Sequence, residues 1–217
     1  SGGDLTVLSG LGEAASARTG GRISLEGMRV VSEAGGLSAH GEGSALDIRN
    51  TSINSAGTAL YAGPRASAML DSVDAHASGL GGLRGVGLHV ENGTVTAVRS
   101  RIAGRADAIN VVGSAGFVEL ADSHVASEFG AGLVLTPRST GQGPVATITR
   151  SSIEGSVGAA VTGSQLSAVG SRFTGRNSHG IGMAGGTLVL SGGSTVNGEW
   201  SAIDVQPGYP GNVSRIV

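Results

Sequence analysis

The side chains with the means to do chemistry are five histidines, seven aspartates, nine glutamates, fourteen arginines and a recurrent series of serines and threonines. Hydrolysis of a glycosidic bond needs two carboxylates facing that bond. Calcium-assisted chemistry needs several oxygens around one ion. The carboxylates here are dispersed along the chain. Asp71 and Asp74 stand three apart, and Asp47 and Asp71 have the separation of equivalent places in neighbouring repeats, but no larger group forms. His40, His76, His89, His124 and His179 lack the spacing of zinc ligands. Without cysteine there is neither a thiolate site nor a disulfide. Gly180-Ile181-Gly182-Met183-Ala184-Gly185 matches the dinucleotide fingerprint literally, yet no helical pattern follows it. Among 40 glycines such a match arises by chance. The expectation is therefore no catalytic residue, no cofactor and no metal.

The hydroxyls lead to the architecture. A small oxygen-bearing residue, a variable residue and an apolar residue recur as Thr51/Ile53, Asp71/Val73, Ser100/Ile102, Ser123/Val125, Ser151/Ile153, Ser171/Phe173 and Ser194/Val196, with Val30 as an earlier apolar member. Separations run from 20 to 29 residues, with a mean of about 24. No general base accompanies these oxygens, so their expected role is to bond backbone at a bend. Around each triplet stand two more short alternations, such as Val118-Glu119-Leu120 before it and Leu133-Val134-Leu135 after it. The later one begins near Leu37, Leu60, Ile109, Leu133, Ala160, Ile181 and Ile203. Period-two alternation over three to five residues signals strands, and a fixed long period signals a repeat array. No segment holds a helical period. The expected fold is all-β: a single-stranded right-handed parallel β-helix of about eight coils, three short strands per coil. At about 4.8 Å per coil it would form a rod of roughly 40 Å.

Residues 1–217 read as one continuous array. The opening, Ser1 to Val7, already resembles mid-repeat sequence, so a longer precursor is expected. Two insertions, near 78–87 and 136–144, interrupt the period with Gly- and Pro-rich sequence, and loops on a rigid scaffold are where binding tends to reside. Candidate partner contacts are Leu83 and Arg84 in the first loop and Arg138 in the second. Arg172, Arg176, Trp200 and Tyr209 complete the set, since Arg and aromatic residues are enriched at interface hot spots. A net charge of −2 with no basic cluster argues against nucleic acid. No apolar run approaches the roughly 20 residues that span a bilayer, so direct membrane insertion of this segment is not expected.

The units Leu46–Ile53, Val95–Ile102 and Ala146–Ile153, each followed by a small-residue turn and another strand, resemble passenger domains of classical bacterial autotransporters, most closely the pertactin-like group. The pattern covers about residues 23 to 205. The resemblance implies export through the periplasm and through a C-terminal outer-membrane β-barrel belonging to the same precursor, giving a surface-exposed or released virulence factor. It further implies a host surface or serum protein as partner, complement regulators included. The absence of cysteine suits a chain threaded unfolded through a pore. The chain has no Arg-Gly-Asp, which Gly104-Arg105-Ala106-Asp107 only resembles, so integrin-type adhesion is not expected. Other β-helices are polysaccharide lyases and hydrolases. His179-Gly180 is similar to the His-Gly of polygalacturonases, but their Asn-Thr-Asp and Asp-Asp motifs are missing. A polysaccharide-active enzyme and a passive stalk presenting another domain remain the alternatives to a non-enzymatic binding surface.

Overall fold

The computed structural model describes residues 6–9, 12–139, 141–207 and 214–217, the first four by backbone course alone. The chain is a parallel β-solenoid of about eight coils spaced by about 23 residues. A central coil shows the plan. Strand Thr94–Val98 ends at a corner, Arg101–Gly104 follows, and Ile109–Val112 completes the turn. Each strand pairs in parallel with its counterparts one coil before and one coil after, as Arg101–Gly104 does with Asp74–Ala77 and His124–Ser127. The corner strands form one nine-stranded sheet. The other two rows would be separate, but Val157–Val169 and His179–Ser191 each run through the third place of one coil into the first place of the next. They join the rows into a sixteen-stranded sheet. Among the described residues, helix is confined to one 3-10 turn, Leu80–Gly82, within the first inserted loop.

Alternation does the packing. In Thr94–Val98 the side chains of Val95 and Ala97 are fully buried and their neighbours face out. Stacked inward positions then form ladders through the rod. One runs Val30, Ile53, Ala75, Ile102, Val125, Ile153, Phe173, each buried, and ends at the half-buried Val196. This corrects the sequence expectation, which put Val73 in the ladder. Register sets Ala75 there instead, with separations of 22 and 27 from Ile53 and Ile102. Likewise Ala159, not Ala160, stacks on Leu133.

The corner explains the recurrent hydroxyl. A left-handed residue precedes the ladder position at each described corner: Gly27, Asn50, Ser72, Arg99, Asp122, Arg150, Gly170 and Gly193, the last preceded by a second, Gly192. The next residue is the ladder oxygen in six of these coils, with Met28 and Val73 in its place in the other two. Ser123 Oγ donates to the Ala121 carbonyl at 2.8 Å and accepts from the Ser100 N–H at 3.1 Å. The Ser123 N–H donates in turn to Ser151 Oγ at 3.0 Å, and Ser151 N–H to Ser171 Oγ at 3.2 Å. Each hydroxyl thus satisfies backbone of its own coil and of its neighbour, at a bend that strand pairing cannot serve. Asp71 does not belong to this series. It ends strand Ser67–Asp71, and Val73 occupies the oxygen position of its coil. Asp71 also does not meet Asp47. Register sets Asp47 opposite Met69 and Asp71 opposite Arg49.

Candidate functional site

The outward positions of the third-strand row gather the polar side chains. Ser38, Tyr61, His89 and Asn110 are consecutive register partners on the solvent side, because their neighbours Leu37, Leu60, Leu88 and Ile109 point inward and are buried. His40 lies two residues beyond Ser38 on the same face. The rings stack: His40 and Tyr61 have centroids 4.8 Å apart, and Tyr61 and His89 lie 5.6 Å apart and nearly parallel at 6°. Carboxylates flank the stack at both ends. Tyr61 donates its hydroxyl to Glu91 Oε2 at 2.9 Å. Ser38 donates to Glu13 Oε2 at 2.7 Å, and His40 Nε2 lies 3.4 Å from Glu13 Oε1.

Both inserted loops reach this flank. Leu83 and Arg84 line a cavity of about 370 Å³ together with Glu13, Ser38, His40 and Tyr61. From the other loop, Arg138 forms an ion pair with Glu91, the acceptor of the Tyr61 hydroxyl. The environment is partly desolvated. Burial, then the hydrogen bond to Glu91, push the Tyr61 hydroxyl from 10.0 up to about 12. Burial also lowers the pKa of His89, against the opposing pull of Glu91. Asn110 Oδ1 is buried with no hydrogen-bond partner among the described residues. The flank therefore holds a protonated phenol, an imidazole biased toward neutrality, a paired guanidinium and a free amide oxygen on one face. Such a set can donate to and accept from a polar partner without bringing an unbalanced charge.

No known protein family matches the chain, and no curated protein matches it.

The remaining sequence candidates lie elsewhere. Arg172 projects from the corner sheet. Arg176 is committed to the scaffold: its guanidinium donates to the Ser127 carbonyl and, at 3.5 Å, to that of Glu128. Trp200 is 70% exposed and packs edge-on against His179, with centroids 5.7 Å apart. His179 Nδ1 lies 2.8 Å from Ser201 Oγ and its Nε2 3.5 Å from Asp204. This hydroxyl–imidazole–carboxylate series is looser at the carboxylate than the hydrogen bond that orients a catalytic imidazole. Tyr209 lies outside the described residues.

Leu83, Arg84 and Arg138 are thus brought to one flank, and Arg172, Arg176 and Trp200 are not. Sequence reasoning missed the centre of that flank, namely Tyr61, His40, His89, Glu13 and Glu91. Its signal was the outward place of the third alternation. The first inserted loop falls between Tyr61 and His89 and hides their equivalence.

Proposed function

We propose that this chain is part of the passenger of a pertactin-like bacterial autotransporter, carried to the cell surface or released, and that it binds a host surface or serum protein without catalysis. The observation that carries this reading is the delivery of Leu83, Arg84 and Arg138 by two separate loops to the flank centred on Tyr61. Tyr and Arg around a partly desolvated concavity, with an apolar residue beside them, are the composition of a binding hot spot. The stacked rings His40–Tyr61–His89 lose little conformational entropy on binding because they are already held. The test is capture from human serum and epithelial extract by the immobilised chain, Tyr61→Ala, Arg84→Glu, and deletions of residues 79–85 and 137–144, with thermal melts to confirm folding. A partner retained by the parent and lost by Tyr61→Ala and by either deletion supports the reading. A partner kept by every variant removes the site from this flank.

A second reading, a polysaccharide-active enzyme, draws on the same cluster. A neutral imidazole at His89 provides a base, and Arg138 a cation, beside the Tyr61 hydroxyl. Release of reducing or unsaturated ends from polygalacturonate, abolished by His89→Ala, would establish it. Failure of both assays, with the loops deletable at no loss, leaves the stalk.

A further inference from the structure

The corner sheet carries a second surface, distinct from the Tyr61 flank. Along its outward face, Arg101, His124, Ser152 and Arg172 are consecutive register partners. With coils about 4.8 Å apart, Arg101 and Arg172 stand about 14 Å apart along the rod. Beside this row run the left-handed corner residues Arg99, Asp122 and Arg150. The two rows enclose an open groove of about 560 Å³ crossing several coils. The charges in it are ordered. Arg150 grips Asp122 through two hydrogen bonds of 2.7 Å, and Arg99 grips Asp71 at 2.6 Å, so these guanidinium groups are held in place while retaining outward N–H groups. Arg101 and Arg172 have neither an ion pair nor a side-chain hydrogen bond among the described residues. Asp74, one coil before Arg101, closes the basic row at that end. Four guanidinium groups against Asp71, Asp74 and Asp122 leave the groove with an excess of one positive charge on a chain of net charge −2, with Arg101 and Arg172 as its unpaired cations.

The lining decides what kind of anion fits. Apart from its charged residues and His124 it consists of serine, glycine and one threonine. It has no apolar anchor of the sort that forms the centre of a protein interface. Nor has it a phenyl, phenol or indole ring on which nucleic-acid bases would stack. What it offers is two unpaired guanidinium forks, Arg101 and Arg172, with the held groups of Arg99 and Arg150 beside them, along a straight axis. We propose that this groove binds an anionic polysaccharide laid along the rod across the coils, with its carboxylate or sulfate groups taken by Arg101 and Arg172 and steered by Arg99 and Arg150. The guanidinium fork suits both groups, and an extended hydrophilic chain needs no apolar pocket.

The experiment measures binding of the purified chain to immobilised heparin, to polygalacturonate and to neutral dextran at about 50 mM and about 300 mM salt, which brackets strong and weak screening. Binding to heparin or polygalacturonate but not dextran, weakened by salt, is expected. Heparin alone would identify sulfate as the recognised group, and polygalacturonate as well would show that carboxylate suffices. The double variant Arg101→Glu/Arg172→Glu is expected to bind about tenfold or more weakly. Arg18→Glu/Arg65→Glu, which changes net charge equally outside the groove, is expected to stay within about twofold of the parent. Should the first pair fail to fold, Arg101→Gln/Arg172→Gln replaces it, with the same direction expected. No retention on either anionic polymer, equal binding to dextran, or equal loss in the control pair would each overturn the proposal.

Discussion

Tyr61 and His89 show how far a single residue's behaviour is set by its coil neighbours. Tyr61 holds its proton to about pH 12 because burial and the Glu91 carboxylate both disfavour the phenolate. Glu91→Gln removes the charge and is expected to bring the titration back toward 10.0, read as tyrosinate absorbance against a Tyr61→Phe reference. The native pKa lies above the unfolded one. The stabilising difference is therefore intact below pH 10 and is lost as pH rises from 10 to about 12, where the unfolded chain releases the proton first. His89 works in the opposite sense. Its native pKa lies below 6.5, so its contribution is intact above that value. It is lost as pH falls through the native pKa, where the unfolded chain is already protonated. An NMR titration of the His89 ring should therefore have its midpoint below 6.5. A midpoint at or above it would mean that Glu91 outweighs burial.

At the scale of the element, the corner depends on one oxygen per coil. Ser123→Ala would leave the Ser100 N–H without its acceptor in a buried corner, at a cost of about 1–3 kcal/mol. Val73→Thr is the converse. Thr51 shows that threonine fits the series, and a hydroxyl at position 73 would face the Thr51 N–H as Ser123 Oγ faces that of Ser100. It is expected to stabilise the array by about 0.5–1.5 kcal/mol. Chemical denaturation of both variants checks the pair; equal destabilisation would mean that shape, not hydrogen bonding, governs the corner. The turn after the corner strand has a different requirement. A Cβ at Gly104 would sit 2.0 Å from the Asp107 carbonyl oxygen, which glycine alone avoids. Gly175 and Gly198, at the same place in later coils, are equally crowded, at 2.0 Å from the His179 and Ser201 carbonyl oxygens. The hydroxyl period was legible in the sequence because the same backbone need recurs at every corner. The misplacement of the third coil was not avoidable from residue type: Asp71-Ser72-Val73 satisfies the pattern, and only pairing with Ile53 and Ile102 selects Ala75.

For the whole molecule, a solenoid couples each coil mainly to its neighbours. Phe173 is the largest fully buried side chain among the described residues, stacked between Ile153 and Val196. Phe173→Ala is expected to cost about 3–5 kcal/mol. The loss of hydrogen-exchange protection should be concentrated in the strands flanking Arg172–Gly175, with the coils around Ile53 keeping theirs. Uniform loss along the rod would show that the array melts as one cooperative unit instead.

The sequence alone determined the period, most of the inward residues and hence the parallel β-solenoid, because an apolar residue must return to the interior once per coil whatever lies between. It also marked both inserted loops. Which outward side chains become neighbours was decided only by the tertiary structure. Tyr61 and His89 are 28 residues apart in the chain and 5.6 Å apart in space. Arg99, Arg101, Arg150 and Arg172 are scattered over 74 residues yet line one groove, although no basic cluster is visible in the sequence. The physical reason is that coil length varies with its loops, while strand pairing holds the distance between coils constant. Outward residues lie next to one another by hydrogen-bond register, and residue counting loses that register wherever a loop is inserted.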